Sequence, residues 1–355
     1  MIHPVAVARH HADALFAAEA EHGLSLAFVV RRGREVVLER YGRQPDTVFG
    51  PGGEVDADTT LLSWSMAKSI THAAVGIAAA DGLVDLEAPA PVPAWRGTAK
   101  EAITLQQLLE MRSGLLFVED YVDNSVSHCL EMLYGEGAND MAAYAASLPL
   151  VDAPGTAWNY SSGTTNIIAR IIGDAVGGGR EGMETFLRRR LFDPAGMTSA
   201  QVKFDAAGTF VGSSYAYATA RDFARFGQLY LDDGSVGGVR ILPAGWSDQA
   251  RARVSFDPEG GFWYGRHWWH WPAFPGSFAC HGYEGQYIVV VPDRELVVVH
   301  LGKSPIERRE PLVGRIAAVI EAFGATWRRA NCRGCRPTTP VVHRDPGSTS
   351  RSASP

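Results

Sequence analysis

Two pairs of short apolar runs bracket this chain. Near its start, Ser25-Leu26-Ala27-Phe28-Val29-Val30 and Glu35-Val36-Val37-Leu38-Glu39-Arg40 flank Arg32-Gly33-Arg34. Near its end, Gln286-Tyr287-Ile288-Val289-Val290-Val291 and Leu296-Val297-Val298-Val299-His300-Leu301 flank Pro292-Asp293-Arg294-Glu295. β-Rich runs around a short turn predict two hairpins. Between them the apolar positions take helical spacing. Helices are expected up to about His22 (apolar side Val7, Ala14, Leu15, Phe16, Ala18), after Thr104, within 125–150, over Thr165 to Val176 and over Met183 to Leu191. The run Thr219 to Leu231 is strongly amphipathic and stops at Asp233-Gly234, and a closing helix spans about Pro311 to Phe323. Strands at both ends with helices between them predict an α/β (α+β) chain. Residues 1–60 and 240–327 would form one discontinuous sheet region and 61–239 a mainly helical one.

Composition narrows the function classes. The 355 residues are 46% hydrophobic and 20% charged, with a formal net charge of −6. That balance suits a globular protein with a large core. It offers no basic field for nucleic acid. The start, Met1-Ile2-His3-Pro4-Val5, lacks the basic and long apolar regions of a secretory signal, and no apolar run is long enough to span a bilayer. Four cysteines are too few for a disulfide framework. A soluble cytoplasmic protein is therefore expected, with no membrane or nucleic-acid partner. From Trp327 onward the Pro- and Ser-rich composition predicts a disordered tail over 328–355. Its Cys332-Arg333-Gly334-Cys335 has only His343 near by as a further ligand, short of a zinc site.

One stretch carries candidate chemistry. In Leu62-Ser63-Trp64-Ser65-Met66-Ala67-Lys68-Ser69-Ile70-Thr71, a polar start leads into a small apolar helical run closed by Asp81-Gly82. Ser65 and Lys68 stand three apart and so share one helix face. A lysine so placed gives a serine the base it lacks at neutral pH. Backbone N–H groups at a helix start also favour developing negative charge. Alone, the spacing also fits a capped helix with a snorkelling lysine. Two further stretches bear on it. Pro154-Gly155-Thr156-Ala157-Trp158-Asn159-Tyr160-Ser161-Ser162-Gly163 places a tyrosine at a helix start, and Ala279-Cys280-His281-Gly282-Tyr283-Glu284-Gly285-Gln286 puts glycines at a strand edge. Each alone also fits plain structure, the first as a helix N-cap at Ser161 or Ser162 with Tyr160 as a packing residue, the second as a turn before a strand.

Together and in this order, the three stretches resemble the serine β-lactamase and penicillin-binding-protein superfamily, whose class A signature is Ser-x-x-Lys, Ser-Asp-Asn and Lys-Thr-Gly. The likeness covers roughly residues 20–325. It is greatest to the class C branch, with Tyr-x-Asn as second motif, and within it to the esterase and 6-aminohexanoate-dimer hydrolase group. The resemblance implies a β-lactamase-like fold, an antiparallel sheet flanked by helices and facing a mainly helical region. It implies Ser65 as nucleophile, Lys68 as base or proton relay and Tyr160 as the acid that protonates the leaving group. The oxyanion hole would be the backbone N–H groups of Ser65 and Tyr283. Mutual influence of Lys68 and Tyr160 would lower both pKa values. The implied substrate is a small-molecule ester or amide, with no metal or cofactor.

Two departures bear on substrate. Ser162 stands where class C enzymes carry asparagine, and Cys280-His281-Gly282 where they carry Lys-Thr-Gly, which argues against efficient penicillin or cephalosporin hydrolysis. His281, Gly282, Tyr215, Ser162 and Trp158 are the candidate substrate-binding residues, with packing beside the strand an equal reading for His281 and core packing the better one for Tyr215 and Trp158. The rival readings are a 6-aminohexanoate-oligomer amide hydrolase, a β-lactamase or peptidase, and an inactive ligand-binding homologue. The sequence leaves the oligomeric state open.

Overall fold

A computed structural model describes residues 3–46, 51–121, 126–258, 260–271 and 273–324. The Cys332/Cys335 tail lies outside the described residues. An antiparallel eight-stranded sheet is the frame of the described chain. In spatial order its strands are Ser255–Asp257, Phe262–Tyr264, Trp269–His270, Phe278–Gly282, Gln286–Val291, Leu296–Lys303, Leu24–Arg32 and Glu35–Tyr41. Both expected hairpins are present, and the two chain ends meet where Leu24–Arg32 pairs with Leu296–Lys303. This is the β-lactamase-like fold, with helices on both faces of the sheet.

The continuous apolar runs of the central strands follow from burial on both faces. Val29, Ile288, Val290, Val297 and Val299 belong to the larger core, whereas Phe28, Val30, Val289, Val291 and Val298 belong to a second core. The second core is closed by the helices Pro4–Ala17 and Arg309–Ala322, through Ala8, Ala12, Leu15, Leu312, Ile316 and Ile320. The first helix thus exists, but its buried face is Ala8, Ala12 and Leu15 rather than Val7, Ala14 and Ala18. Packing against the last helix sets its rotation.

On the opposite face the helix Ala220–Leu231 lies directly on the sheet. Gly227 permits this approach, since a Cβ there would stand 2.5 Å from Cγ1 of Val297. Thr219 caps the helix by accepting the N–H of Asp222, and Arg221 forms a two-pronged pair with Glu39 of the edge strand at 2.9 and 2.6 Å. Beyond it lies the buried helix Ala67–Ala80, packed against Ser162–Val176. Shorter helices at Leu105–Leu109, with a Thr104/Gln107 capping box, and at His128–Tyr134 and Met141–Ser147 complete the larger core. The helix expected from Thr165 starts earlier, at Ser162, because Ser161 caps it by accepting the N–H of Thr164 at 2.9 Å. No helix among the described residues is long and apolar enough to cross a membrane.

Candidate active site

Ser65 sits in a single 3-10 turn, Trp64–Met66, just ahead of the buried helix. Trp64 precedes it with φ of 46°, a left-handed conformation unusual for a bulky residue. The turn is anchored behind by Ser63, whose N–H donates to the Ala216 carbonyl at 2.8 Å and whose hydroxyl accepts the Ala216 N–H at 3.2 Å. Ser65 is thereby presented, partly exposed, at the mouth of a cavity of about 630 Å³.

Lys68, one turn on, is 2% exposed and fully engaged. Its Nζ donates to Ser65 Oγ at 2.9 Å, to Ser162 Oγ at 2.9 Å and to the Ser213 carbonyl at 3.1 Å. These partners come from three separate segments, so Nζ of Lys68 is a junction as well as a neighbour of the serine. The Ser213 carbonyl is itself set by Asn166, whose Oδ1 accepts the Ser213 N–H at 3.1 Å.

Tyr160 leans over this junction, with Lys68 Nζ 4.8 Å from its ring centroid. Its ring is packed among Trp158, Tyr264 and Trp269 at centroid distances of 6.4, 6.0 and 5.5 Å. Burial raises the Tyr160 hydroxyl above its ordinary value, and the charge of Glu119 adds to this. The positive charge of Lys68 and hydrogen bonding with Ser65 and Lys68 act the other way and are outweighed. The expected lowering of the tyrosine is therefore not what this environment produces, because desolvation of the phenolate dominates. A neutral phenol beside Ser65 is a proton donor at neutral pH.

The third motif closes the site from the sheet side. The Ser63 carbonyl lies 2.4 Å from where a Cβ on Gly282 would stand, so only glycine lets this strand approach the Ser65 turn. Tyr283 follows, its ring 5.8 Å from that of Trp64 and 5.1 Å from that of Tyr121. Gln286 fixes the intervening turn, its Nε2 donating to the carbonyls of Tyr283 at 3.0 Å and Gly302 at 2.7 Å. Behind it His300 donates from Nδ1 to the Gly285 carbonyl at 2.6 Å, and burial lowers this imidazole to about 4.

The remaining candidates separate by position. His281 and Gly282 line the cavity. His281 stacks on Trp269 at 5.4 Å, with Phe262, Trp271 and Tyr287 edge-on, and both ring nitrogens are buried without a hydrogen-bond partner. Burial holds it neutral, well below the ordinary histidine range. Ser162 is 1% exposed and faces Lys68 rather than the cavity. Trp158 backs Tyr160 and lines neither cavity beside Ser65. Tyr215 packs 6.3 Å from Trp64, its hydroxyl donating to that of Tyr134 at 3.2 Å, and also lines neither. Cys280 is 1% exposed in the larger core, and burial raises its thiol, so no charge stands at that position. Among the described residues no group of three or more metal-binding side chains occurs.

Sequence reasoning missed Glu119. Its Oε2 accepts the Ser162 N–H at 2.7 Å, and its Oε1 accepts the Ser162 hydroxyl at 2.6 Å and the Tyr121 hydroxyl at 2.6 Å. Nothing in Phe117-Val118-Glu119-Asp120-Tyr121 has a periodicity or spacing that announces this.

The cavity runs from Ser65 past Tyr121, Trp269 and Tyr287 to Lys303 and Arg309. A smaller one of about 150 Å³ opens on the other side of Ser65, between Leu130, Leu133 and Tyr134. A serine with an amine at 2.9 Å, beside two recesses and a glycine strand, has the chemical parts that acyl transfer needs.

Comparison with known proteins agrees. The beta-lactamase family model matches residues 12–319. This chain belongs to the beta-lactamase family. It is thus a member of a hydrolase family. A 6-aminohexanoate-dimer hydrolase of Paenarthrobacter ureafaciens is 28% identical over 300 residues, 79% of this chain and 72% of the relative. Among solved structures, a family VIII carboxylesterase superposes with a TM-score of 0.68 at 17% identity, covering 89% of this chain and 97% of the other. An octameric penicillin-binding protein homologue from Pyrococcus abyssi gives a TM-score of 0.68 at 16% identity, covering 88% and 77%. These two structural likenesses establish the fold.

Proposed function

We propose that this protein hydrolyses carboxylic esters or short amides through an acyl-enzyme on Ser65. The observation that carries the reading is the 2.9 Å approach of Lys68 Nζ to Ser65 Oγ, at the mouth of a cavity large enough for a small-molecule substrate. Ser65 attacks the carbonyl carbon while its proton passes to the Lys68 amine. The backbone N–H groups of Ser65 and Tyr283 stabilise the oxyanion. Collapse of the tetrahedral adduct expels the leaving group, which takes a proton from the Tyr160 hydroxyl. Water then attacks the acyl-enzyme with the same groups in reversed roles, restoring Ser65.

The aromatic walls favour an uncharged acyl or alkyl group near Ser65. The Paenarthrobacter relative supports a short linear amide as the companion substrate class. Hydrolysis of β-lactams fits less well, because the buried, uncharged Cys280 supplies no cation where class C enzymes have lysine. Parallel assays of p-nitrophenyl acetate, p-nitrophenyl butyrate and 6-aminohexanoate dimer test the reading. Turnover abolished in Ser65→Ala supports it, and the ratio of ester to amide rates assigns the substrate class. Absence of turnover together with absence of fluorophosphonate labelling would leave a ligand-binding homologue.

A further inference from the structure

We propose that Glu119 is a positioning residue that aims the base lone pair of Lys68 at Ser65 by fixing the direction of the Ser162 hydroxyl. The inference rests on the reading of Ser65 and Lys68 given above. A hydroxyl has one hydrogen to donate, and that of Ser162 is committed to Glu119 Oε1 at 2.6 Å. Toward Lys68, 2.9 Å away, the Ser162 oxygen can therefore only accept. The Ser213 carbonyl, 3.1 Å from the same nitrogen, is also only an acceptor. When Lys68 is a neutral amine it has two N–H bonds and one lone pair. The two N–H bonds satisfy Ser162 and Ser213, and the lone pair is left facing the third neighbour, Ser65 Oγ.

Proton transfer then needs no rotation about the amine. The Ser65 O–H bond breaks as the oxygen attacks, and its proton forms the third N–H of Lys68. Without an acceptor at residue 119, the Ser162 hydroxyl is free to turn and donate to the Lys68 lone pair, which would then compete with Ser65. Glu119 lines neither cavity: it reaches Lys68 through Ser162, and it separately holds the hydroxyl of Tyr121, which lines both.

The carboxylate has a second, purely structural task. Its Oε2 accepts the Ser162 N–H at 2.7 Å, one of the free donors at the start of the helix Ser162–Val176. The two tasks fall on different oxygens, and a glutamine separates them. Because Oε1 receives two hydroxyl donors and Oε2 one N–H, the amide oxygen settles at the Oε1 site. Glu119→Gln thus keeps the hydroxyl direction and gives up the helix contact.

The test is steady-state hydrolysis of p-nitrophenyl acetate, with melting temperatures, for wild type, Glu119→Ala, Glu119→Gln, Ser162→Ala and the Glu119→Ala/Ser162→Ala double variant. Glu119→Ala is expected to lower kcat by about tenfold to a hundredfold, the scale of a misaligned catalytic group, with any effect of releasing Tyr121 confined to KM. Glu119→Gln should recover most of kcat while melting lower than wild type. The double variant should have a kcat no more than about twofold below that of Ser162→Ala, since without the hydroxyl Glu119 has no further hold on Lys68, and release of Tyr121 shows separately in KM. Wild-type kcat in Glu119→Ala would overturn the inference, as would full multiplication of the two effects in the double variant. If Glu119→Ala fails to fold, a Glu119→Gln enzyme slower than Ser162→Ala overturns it equally. A wild type that neither turns over ester nor takes a fluorophosphonate label would instead overturn the reading of Ser65, and this inference with it.

Discussion

The carbonyl of Ser63 occupies the space that a side chain on Gly282 would need, 2.4 Å from its ideal Cβ. Two segments more than two hundred residues apart thus meet backbone to backbone at the turn that carries Ser65. Any Cβ at position 282 must push the strand Phe278–Gly282 away from Ser65, and Tyr283 moves with it. Gly282→Ala is expected to lower kcat about a hundredfold or more, the scale of losing one oxyanion donor. Rate measurements on p-nitrophenyl butyrate alongside a melting curve check this; near-normal kcat would show that the strand does not position a catalytic donor.

Tyr160 offers a cleaner deletion. Its ring is held by Trp158, Tyr264 and Trp269, so Tyr160→Phe keeps the packing and removes only the hydroxyl. The melting temperature should change little and kcat should fall by about 10²–10⁴-fold, the range for a general acid. In kcat/KM, which reports acylation, the loss should be smaller for p-nitrophenyl esters, whose leaving group needs no proton, than for alkyl esters or amides. An equal loss on both kinds of substrate would argue against the proton-donor role.

Much of this architecture was legible in the sequence. The two hairpins could be read because a sheet buried on both faces demands unbroken apolar strands, such as Ile288-Val289-Val290-Val291. The Ser65–Lys68 pair could be read because one helical turn brings them together. Glu119 could not, since its partners are Ser162 and Tyr121 and its meaning exists only after the helix Ser162–Val176 has been packed against that loop. For Trp158 and Tyr215 the sequence favours packing over substrate contact, and both rings pack against other residues of the site. Burial also reversed the expected shift of the Tyr160 hydroxyl.

Asp222 ties the sheet-facing helix to the preceding loop. It is 1% exposed, accepts the Ser199 N–H at 2.8 Å and the Ser199 hydroxyl at 2.6 Å, and pairs with Arg225. Asp222→Ala leaves these donors facing a void and is expected to cost about 3 kcal/mol of stability. Urea denaturation would measure it; a change below about 1 kcal/mol would contradict the account.

Acid sensitivity should come first from buried imidazoles. Burial lowers His267 from 6.5 to about 3 and His300 from 6.5 to about 4. Because the folded values are depressed, the unfolded chain binds protons first as the pH falls. The stability these neutral rings contribute is complete above about 6.5 and is lost progressively down toward 4 and 3. Calorimetric melting temperatures should hold steady from pH 8 to 7 and fall by several degrees between about pH 6.5 and 5, before ordinary carboxylates titrate. A flat profile over that window would mean that these histidines accept protons in the folded state.

The central claim is that Ser65 becomes covalently acylated, and intact-mass spectrometry after brief exposure to a fluorophosphonate tests it most directly. The account predicts a single adduct on the wild type, mapped by peptide digestion to Ser65, absent from Ser65→Ala and formed much more slowly in Lys68→Ala. An unlabelled wild type, or an adduct that persists in Ser65→Ala, would contradict it.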